Sequence, residues 1–218
     1  MEYKLFIRQR IRRQFLVSLI FILILGMGWR HPLLGFFIPL CMLLGIGIGL
    51  FRGRQWCSWY CPRGSFYDAI IQPLSLKKGT PPIFKNLLFR SAILVLLMLI
   101  MFMRIVYLWP NPHRIGLFFM TMLTATTVLG VILGVIFHQR SWCSFCPIGT
   151  VIHWLGGSRY PLKIDSATCT ECGVCFKVCP MQIAPFKFKK DKVELVKDRD
   201  CLKCQSCVHA CPEKSLSF

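Results

Sequence analysis

The sequence predicts an all-α membrane part of four transmembrane helices, arranged as a pseudo-twofold repeat of two helix pairs, followed by a small α+β domain. Three observations predict this. The chain is 55% hydrophobic, with 18 Phe among 218 residues, and a mean hydropathy of +0.55 is too apolar for a soluble enzyme of this size. Residues 1–160 hold four apolar runs, two of them followed by a matching Cys-Pro motif. Residues 161–218 hold eight cysteines in two identical runs.

Those runs are Cys169, Cys172, Cys175, Cys179-Pro180 and Cys201, Cys204, Cys207, Cys211-Pro212, offset by 32 residues. Thiolate is the soft ligand that iron–sulfur clusters need, and Cys-x2-Cys-x2-Cys-x3-Cys-Pro is a [4Fe-4S] ligand spacing. Zinc draws instead on two Cys-x2-Cys pairs or on mixed Cys/His sets, and a disulfide framework does not ask for quartets ending in Cys-Pro. In paired runs the fourth cysteine serves the opposite cluster. This assigns Cys169, Cys172, Cys175 and Cys211 to one [4Fe-4S] cluster and Cys201, Cys204, Cys207 and Cys179 to the other. Between the runs, Phe186-Lys187-Phe188-Lys189 and Val193-Glu194-Leu195-Val196 alternate around Asp191-Lys192, which predicts a hairpin.

The first helix is predicted over Phe15–Trp29, begun near Ile11 so that the arginines of the basic start (Lys4, Arg8, Arg10, Arg12, Arg13) snorkel to headgroups. Trp29-Arg30-His31-Pro32 offers no small-residue cleavage site, which argues against a signal peptide. The remaining spans are predicted at Leu33–Phe51, Ser91–Trp109 and Ile115–Phe137. Five Lys/Arg precede the first span and seven lie in Arg52–Arg90, whereas the connections near Arg30 and over Pro110–Arg114 are short and poor in charge. The positive-inside rule therefore puts both termini and the cysteine-rich domain in the cytoplasm, where thiols stay reduced. The same topology accounts for the formal charge of +18; no basic-aromatic surface run points to nucleic acid.

Two stretches of the membrane part repeat each other: Arg54-Gln55-Trp56-Cys57-Ser58-Trp59-Tyr60-Cys61-Pro62 and Arg140-Ser141-Trp142-Cys143-Ser144-Phe145-Cys146-Pro147. Gly45 and Gly49 precede Cys61 by 16 and 12 residues, and Gly130 and Gly134 precede Cys146 by the same intervals. Such small-xxx-small faces predict that the second and fourth helices pack together. That packing would bring Cys57, Cys61, Cys143 and Cys146 into one volume at the membrane edge. Four thiols there suit a third cluster or a metal, a redox-active thiol site, or packing alone. Cys41, alone in its span, reads as a packing residue.

The C-terminal segment, with Ile164-Asp165 before the first run and Asp200 before Cys201, resembles the dicluster bacterial ferredoxins. Apolar helices, two Cys-Pro motifs and this C-terminal domain, in that order, make nearly the whole chain similar to the NapH/MauN type of membrane ferredoxin, with broader kin in the membrane half of NosR and in CcoG. Cys57-x3-Cys61-Pro62 fits the family's motif; Cys143-x2-Cys146-Pro147 is one residue shorter. The resemblance implies a multi-pass protein of a bacterial-type cytoplasmic membrane that supplies electrons, linked to quinone, to partner redox subunits of a respiratory or metalloenzyme complex. A second implied role is an assembly factor that reduces a metal or thiol during maturation of another metalloenzyme. The chain has no dinucleotide fingerprint and no catalytic triad, so it reads as the electron-transfer component of an oxidoreductase complex. At the far membrane side, His31 and His113 are candidates for haem or quinol contact, against a role as interfacial histidines beside Trp29 and Trp109. Arg104 is a candidate for quinone contact, against a role as an interfacial anchor.

Overall fold

The computed structural model describes residues 2–190 and 192–218. The membrane part is helical: α1 (Glu2–Met27), α2 (Phe37–Arg52) entered through a 3-10 turn at Pro32–Phe36, α3 (Gln55–Trp59), α4 (Pro62–Phe66), α5 (Leu87–Leu108), α6 (Pro112–Ile136), α7 (Ser141–Phe145) and α8 (Pro147–Gly156). Pro32–Arg52, Leu87–Leu108 and Pro112–Ile136 are long and apolar enough to cross a membrane. In α5 none of the apolar stretch is buried. Leu88, Leu96, Phe102 and Tyr107 all point outward, as a lipid-facing helix requires.

α1 differs from the expectation in where it begins and which way it faces. It is already helical from Glu2, and Arg10, Gln14, Ser18 and Phe21 form its buried stripe, while Ile11, Phe15 and Leu16 are exposed. The spacing of four, four and three keeps these residues on one face. The polar face turns inward and the apolar face outward, so Arg10 does not snorkel to headgroups.

The glycine faces also pack differently from the prediction. A Cβ on Gly49 would press on Ile152 of α8, and one on Gly45 would meet Ile148 and Trp56. On α6, Gly130 accommodates Tyr67 and Gly134 accommodates Ile71, both in a π-helical turn over Tyr67–Ile71 that extends α4. Each face thus receives the segment that follows the other half's cysteine motif, not the opposite long helix. The long helices meet at their other end. There Gly35 and Gly116 lie so close that a Cβ on either would strike the partner backbone.

The C-terminal domain is a three-stranded antiparallel sheet of order β2-β1-β3, formed by β1 (Leu162–Asp165), β2 (Val193–Val196) and β3 (Leu216–Ser217). Two short helices, α9 (Val174–Lys177) and α10 (Ser206–Ala210), follow the cysteine loops. Leu162 pairs with Val196 and Ile164 with Leu216. The predicted hairpin is therefore corrected: β2 pairs with β1, and Pro185–Phe188 is a 3-10 turn. Pro185 lacks the N–H that a ladder needs and presets φ for the first helical position. Asp191, in the predicted turn, lies outside the described residues. One apolar core runs through both parts of the chain, joining Trp56, Cys57 and Ile152 to Leu162, Ile164, Met181, Leu202 and Leu216.

Candidate iron–sulfur sites

All 13 cysteines are free. Cys169, Cys172, Cys175 and Cys211 line one cavity of about 340 Å³. Cys179, Cys201, Cys204 and Cys207 line a second of about 380 Å³. Each cavity takes three thiols from one loop and one from the end of the other. The two loops share a backbone pattern: Glu171 and Gly173 in the first, and Lys203 and Gln205 in the second, all have positive φ. Three of these four are not glycine, and such backbone costs of order 1 kcal/mol each, which the wrapping of a loop around a compact group explains. Alternating left-handed residues also turn successive N–H groups inward, favouring an anionic occupant.

The two cavities differ in their surroundings. Cys172 is exposed, while Cys204 is buried. Leu162, Met181, Ile183 and Leu202 wall the second cavity and belong to the core shared with Trp56 and Cys57. The second cavity is the one set against the membrane part, since Asp200, Lys203 and Ser206 of its loop bond Arg54, Trp59 and Arg10.

The two membrane motifs have matching local geometry. Cys57 N donates to the Arg54 carbonyl at 3.1 Å and Cys143 N to the Arg140 carbonyl at 3.0 Å. Cys61 N reaches the Trp56 carbonyl at 2.9 Å, and Cys146 N the Trp142 carbonyl at 3.0 Å. The first motif's extra residue is absorbed by this wider turn, so Cys61 and Cys146 are anchored alike. Pro62 and Pro147 then open α4 and α8, where a missing N–H costs nothing. The four thiols are close enough to influence one another. Burial pushes the Cys57 thiol up to about 12, opposed by Arg54 and reinforced by Cys61, Cys143 and Cys146. Burial likewise raises Cys61, with Cys143 and Cys146 adding to the rise. Buried thiols of this kind ionise when a metal takes them as ligands.

Two arginines cross between the motifs. Arg54 Nη2 donates to the Cys143 carbonyl at 2.6 Å, and Arg140 Nη1 to the Cys57 carbonyl at 2.9 Å. Gly149 and Gly64 make room, since a Cβ there would stand 2.8 Å from Arg54 and 2.6 Å from Arg140. Each arginine is fixed by a buried acid. Asp200 accepts from Arg54 at 2.7 Å, from Arg90 at 2.9 and 2.5 Å, and contacts His153 Nδ1 at 2.9 Å. Asp68 accepts from Arg140 at 2.8 and 2.7 Å, from Gln14 at 2.8 Å and from Arg10 at 3.3 Å. Burial alone would raise Asp200, but His153, Arg54 and Arg90 hold it well below the usual carboxylate range. Asp68 is lowered in the same way: burial would raise it, but Arg140, Arg10 and Gln14 together outweigh that.

Both networks grip the second cysteine loop. Asp200 directly precedes Cys201, and Arg10 also donates to Ser206, next to Cys207. Trp59 Nε1 reaches the Lys203 carbonyl at 3.5 Å. The loop is thereby clamped at both ends over the membrane motifs. Sequence reading sent Arg10 to the headgroups and gave Arg54, Asp68, Arg90 and Arg140 no role, although signals existed. Arg54 and Arg140 hold the same place in the repeat, and Asp68 is the only acid between Glu2 and Asp165.

The remaining candidates are apart from this site. His31, His113 and Arg104 are exposed, near the helix ends remote from the cysteine motifs. Among the described residues no group of three or more His, Cys, Asp or Glu side chains is arranged to hold a single metal ion. A cluster presents several iron atoms and does not need its thiols to meet at one point. Buried donors at Arg54 Nε and Trp142 Nε1 in the two motifs, and at Ser65 Oγ just after the first, lack partners, and hydrogen bonds to cluster sulfurs would use such donors.

Comparison with known families agrees with both sets of cysteines. The 4Fe-4S dicluster domain family matches residues 161–212. A second family, described as a 4Fe-4S binding domain, matches twice, over residues 34–81 and 116–164. Among curated proteins, the ferredoxin-type protein NapH of Haemophilus influenzae is 30% identical, over 76% of this chain and 62% of its own length. The putative electron transport protein YccM of Escherichia coli is 26% identical, over 81% of this chain and 54% of its own. The methylamine utilization ferredoxin-type protein MauN of Methylobacillus flagellatus is 30% identical, over 60% of this chain and 50% of its own. The chain therefore spans between 50% and 62% of the length of these relatives. No solved structure matches. With 4Fe-4S family matches in both parts and these relatives across most of its length, the chain is similar to the NapH/MauN-type ferredoxin proteins.

Proposed function

We propose that the chain is a membrane-bound electron-transfer subunit that passes electrons between two ferredoxin-type [4Fe-4S] clusters and a quinone or a partner redox subunit. Cys169, Cys172, Cys175 and Cys211 hold the outer cluster, and Cys179, Cys201, Cys204 and Cys207 the inner one. The observation that carries the reading is the clamp: Asp200 and Ser206, beside Cys201 and Cys207, are bonded to arginines of the membrane part. A domain serving only as a soluble carrier has no need of buried ion pairs to its membrane partner. When bound, the clusters supply one-electron transfer. The protein's residues hold them, shield them from water and fix their order from exposed Cys172 to buried Cys204.

Cys57, Cys61, Cys143 and Cys146 hold a third iron–sulfur cluster at the membrane edge. Charge supports this. Each buried acid is shared by two arginines, so each network carries one surplus positive charge, and Arg63 adds a third. A [4Fe-4S] core with four thiolates carries about minus two. The crossed Arg54 and Arg140 contacts support a pseudo-twofold repeat of two helix pairs, and the inverted face of α1 supports a fourth span. With the dense Lys/Arg of α1 and residues 52–90 on the inner side, the termini and the 161–218 domain lie in the cytoplasm of a bacterial-type cell. Anaerobic redox titration followed by electron paramagnetic resonance tests the reading. It requires cluster signals that reduce in steps, and signals that stay unreduced at every accessible potential would reject it.

A further inference from the structure

A cavity with about 810 Å³ of open space lies among α1, α2, α5 and α6, within the span of the apolar helices. An apolar cleft with a few polar groups is the usual setting for a small organic molecule. Met42, Met98, Met101 and Met122, four of the chain's nine methionines, line it. Thioethers are polarizable and pack well on flat rings, a preference that a saturated acyl chain would not need.

One corner of the cavity is polar. Arg63, on α4, donates through Nη1 to Thr126 Oγ1 at 2.9 Å, and its guanidinium carbon stands 4.8 Å from the centre of the Trp142 ring. Among the described residues Arg63 has no carboxylate partner; the buried acids are taken by Arg10, Arg54, Arg90 and Arg140. A charged side chain set against apolar spans without an acid partner is a functional-site candidate, and a guanidinium with one donor engaged has others to offer. Cys61 and Cys146 form part of the same wall. An occupant would lie directly against the cysteine set proposed to hold the third cluster.

We propose that this cavity binds the ring of a lipid-soluble quinone or quinol, with Arg63 donating to a ring oxygen and the methionines covering the ring. A membrane redox carrier needs an apolar body and oxygen acceptors, and the cavity offers an apolar wall with one cationic donor. A phospholipid headgroup fits less well, because Arg63 is the only lysine or arginine lining the cavity. The inference rests on the electron-transfer reading and deepens it by locating where the membrane carrier meets the protein.

Titration of the purified full chain with decylubiquinone, read by quenching of tryptophan fluorescence, tests the site, since Trp142 borders the cavity. Saturable quenching is expected. Arg63→Leu should weaken binding roughly tenfold to a hundredfold, the range of a hydrogen bond from a charged donor, and Arg63→Lys should restore part of it. Thr126→Phe, which puts a ring into the polar corner, should also weaken binding and leaves Arg63 in place. Decylbenzene, which has the tail without ring oxygens, should fail to compete. Unchanged affinity in both Arg63→Leu and Thr126→Phe, or equal competition by decylbenzene, would overturn the site whatever the iron content. Retained Arg63-dependent binding by a protein whose clusters never reduce would keep the site and reject the electron-transfer reading.

Discussion

Replacing Asp200 with alanine leaves two fully buried arginines, Arg54 and Arg90, without their shared counter-charge. Asp200 is 6% exposed and each arginine 1%, so water cannot replace the lost carboxylate. Breaking a buried ion pair by removing one partner costs about 3–5 kcal/mol. That is a large part of a stability of roughly 5–15 kcal/mol. For a chain of this size each kcal/mol lowers the melting temperature by about 2–4 °C, which gives a fall of about 6–20 °C. Asp200→Asn keeps an acceptor oxygen and should fall between the two. The internal control is Glu171→Ala, which removes an exposed pair with Lys189 and should move the melting temperature by no more than about 4 °C. The triple change Asp200→Leu, Arg54→Met, Arg90→Met should recover most of the loss, because an apolar replacement of a whole buried network is often neutral. Thermal melting in detergent, with hydrogen exchange at Lys203–Cys207, reads both stability and clamping of the loop. An Asp200→Ala protein that melts with wild type and protects that loop equally would refute the reasoning.

Other predictions follow from the same geometry. Cys179→Ala should damage the cluster held mainly by Cys201, Cys204 and Cys207, and Cys211→Ala the one held by Cys169, Cys172 and Cys175; resonance spectra showing loss of only the local cluster would reject the crossed ligand sets. Gly116→Leu should destabilise the protein by at least about 1–3 kcal/mol, the usual cost of overpacking, because a Cβ there meets the Pro32 carbonyl; an unchanged melting temperature would show that this contact yields freely. Reporter fusions after Phe218 and within Pro110–Arg114 should report the cytoplasm and the outside respectively. An external C-terminus would reverse the proposed orientation.

The legible parts of this chain were those written in short or periodic stretches. The cysteine quartets announce in their spacing the two groups of thiols that line the two cavities, and the apolar helices are announced by unbroken hydropathy. The stripe of Arg10, Gln14 and Ser18 was also periodic, yet basic residues ahead of an apolar run read more readily as headgroup anchors than as the inner face of a helix. Asp68 and Arg140 lie 72 residues apart and Arg54 and Asp200 lie 146 apart, so no local pattern could pair them. The glycine faces were visible, but their partners were not. Small residues announce a close approach without saying which segment approaches, and here it was α8 and the turn after α4. The alternating Phe186–Lys189 segment carried a strand-like period, but Pro185 and the distant partner of β2 decided otherwise.

The central claim is that the membrane cysteines hold a third iron–sulfur cluster beneath the inner ferredoxin cluster. The most direct measurement is an iron and acid-labile sulfide count on anaerobically purified protein, made for wild type and for the Cys57→Ser/Cys143→Ser double variant. The two ferredoxin clusters account for about eight irons by their formula. The account predicts iron and sulfide above that level in wild type, with the excess gone and the ferredoxin signals kept in the variant. A wild-type count of about eight, unchanged in the variant together with its spectra, would contradict it.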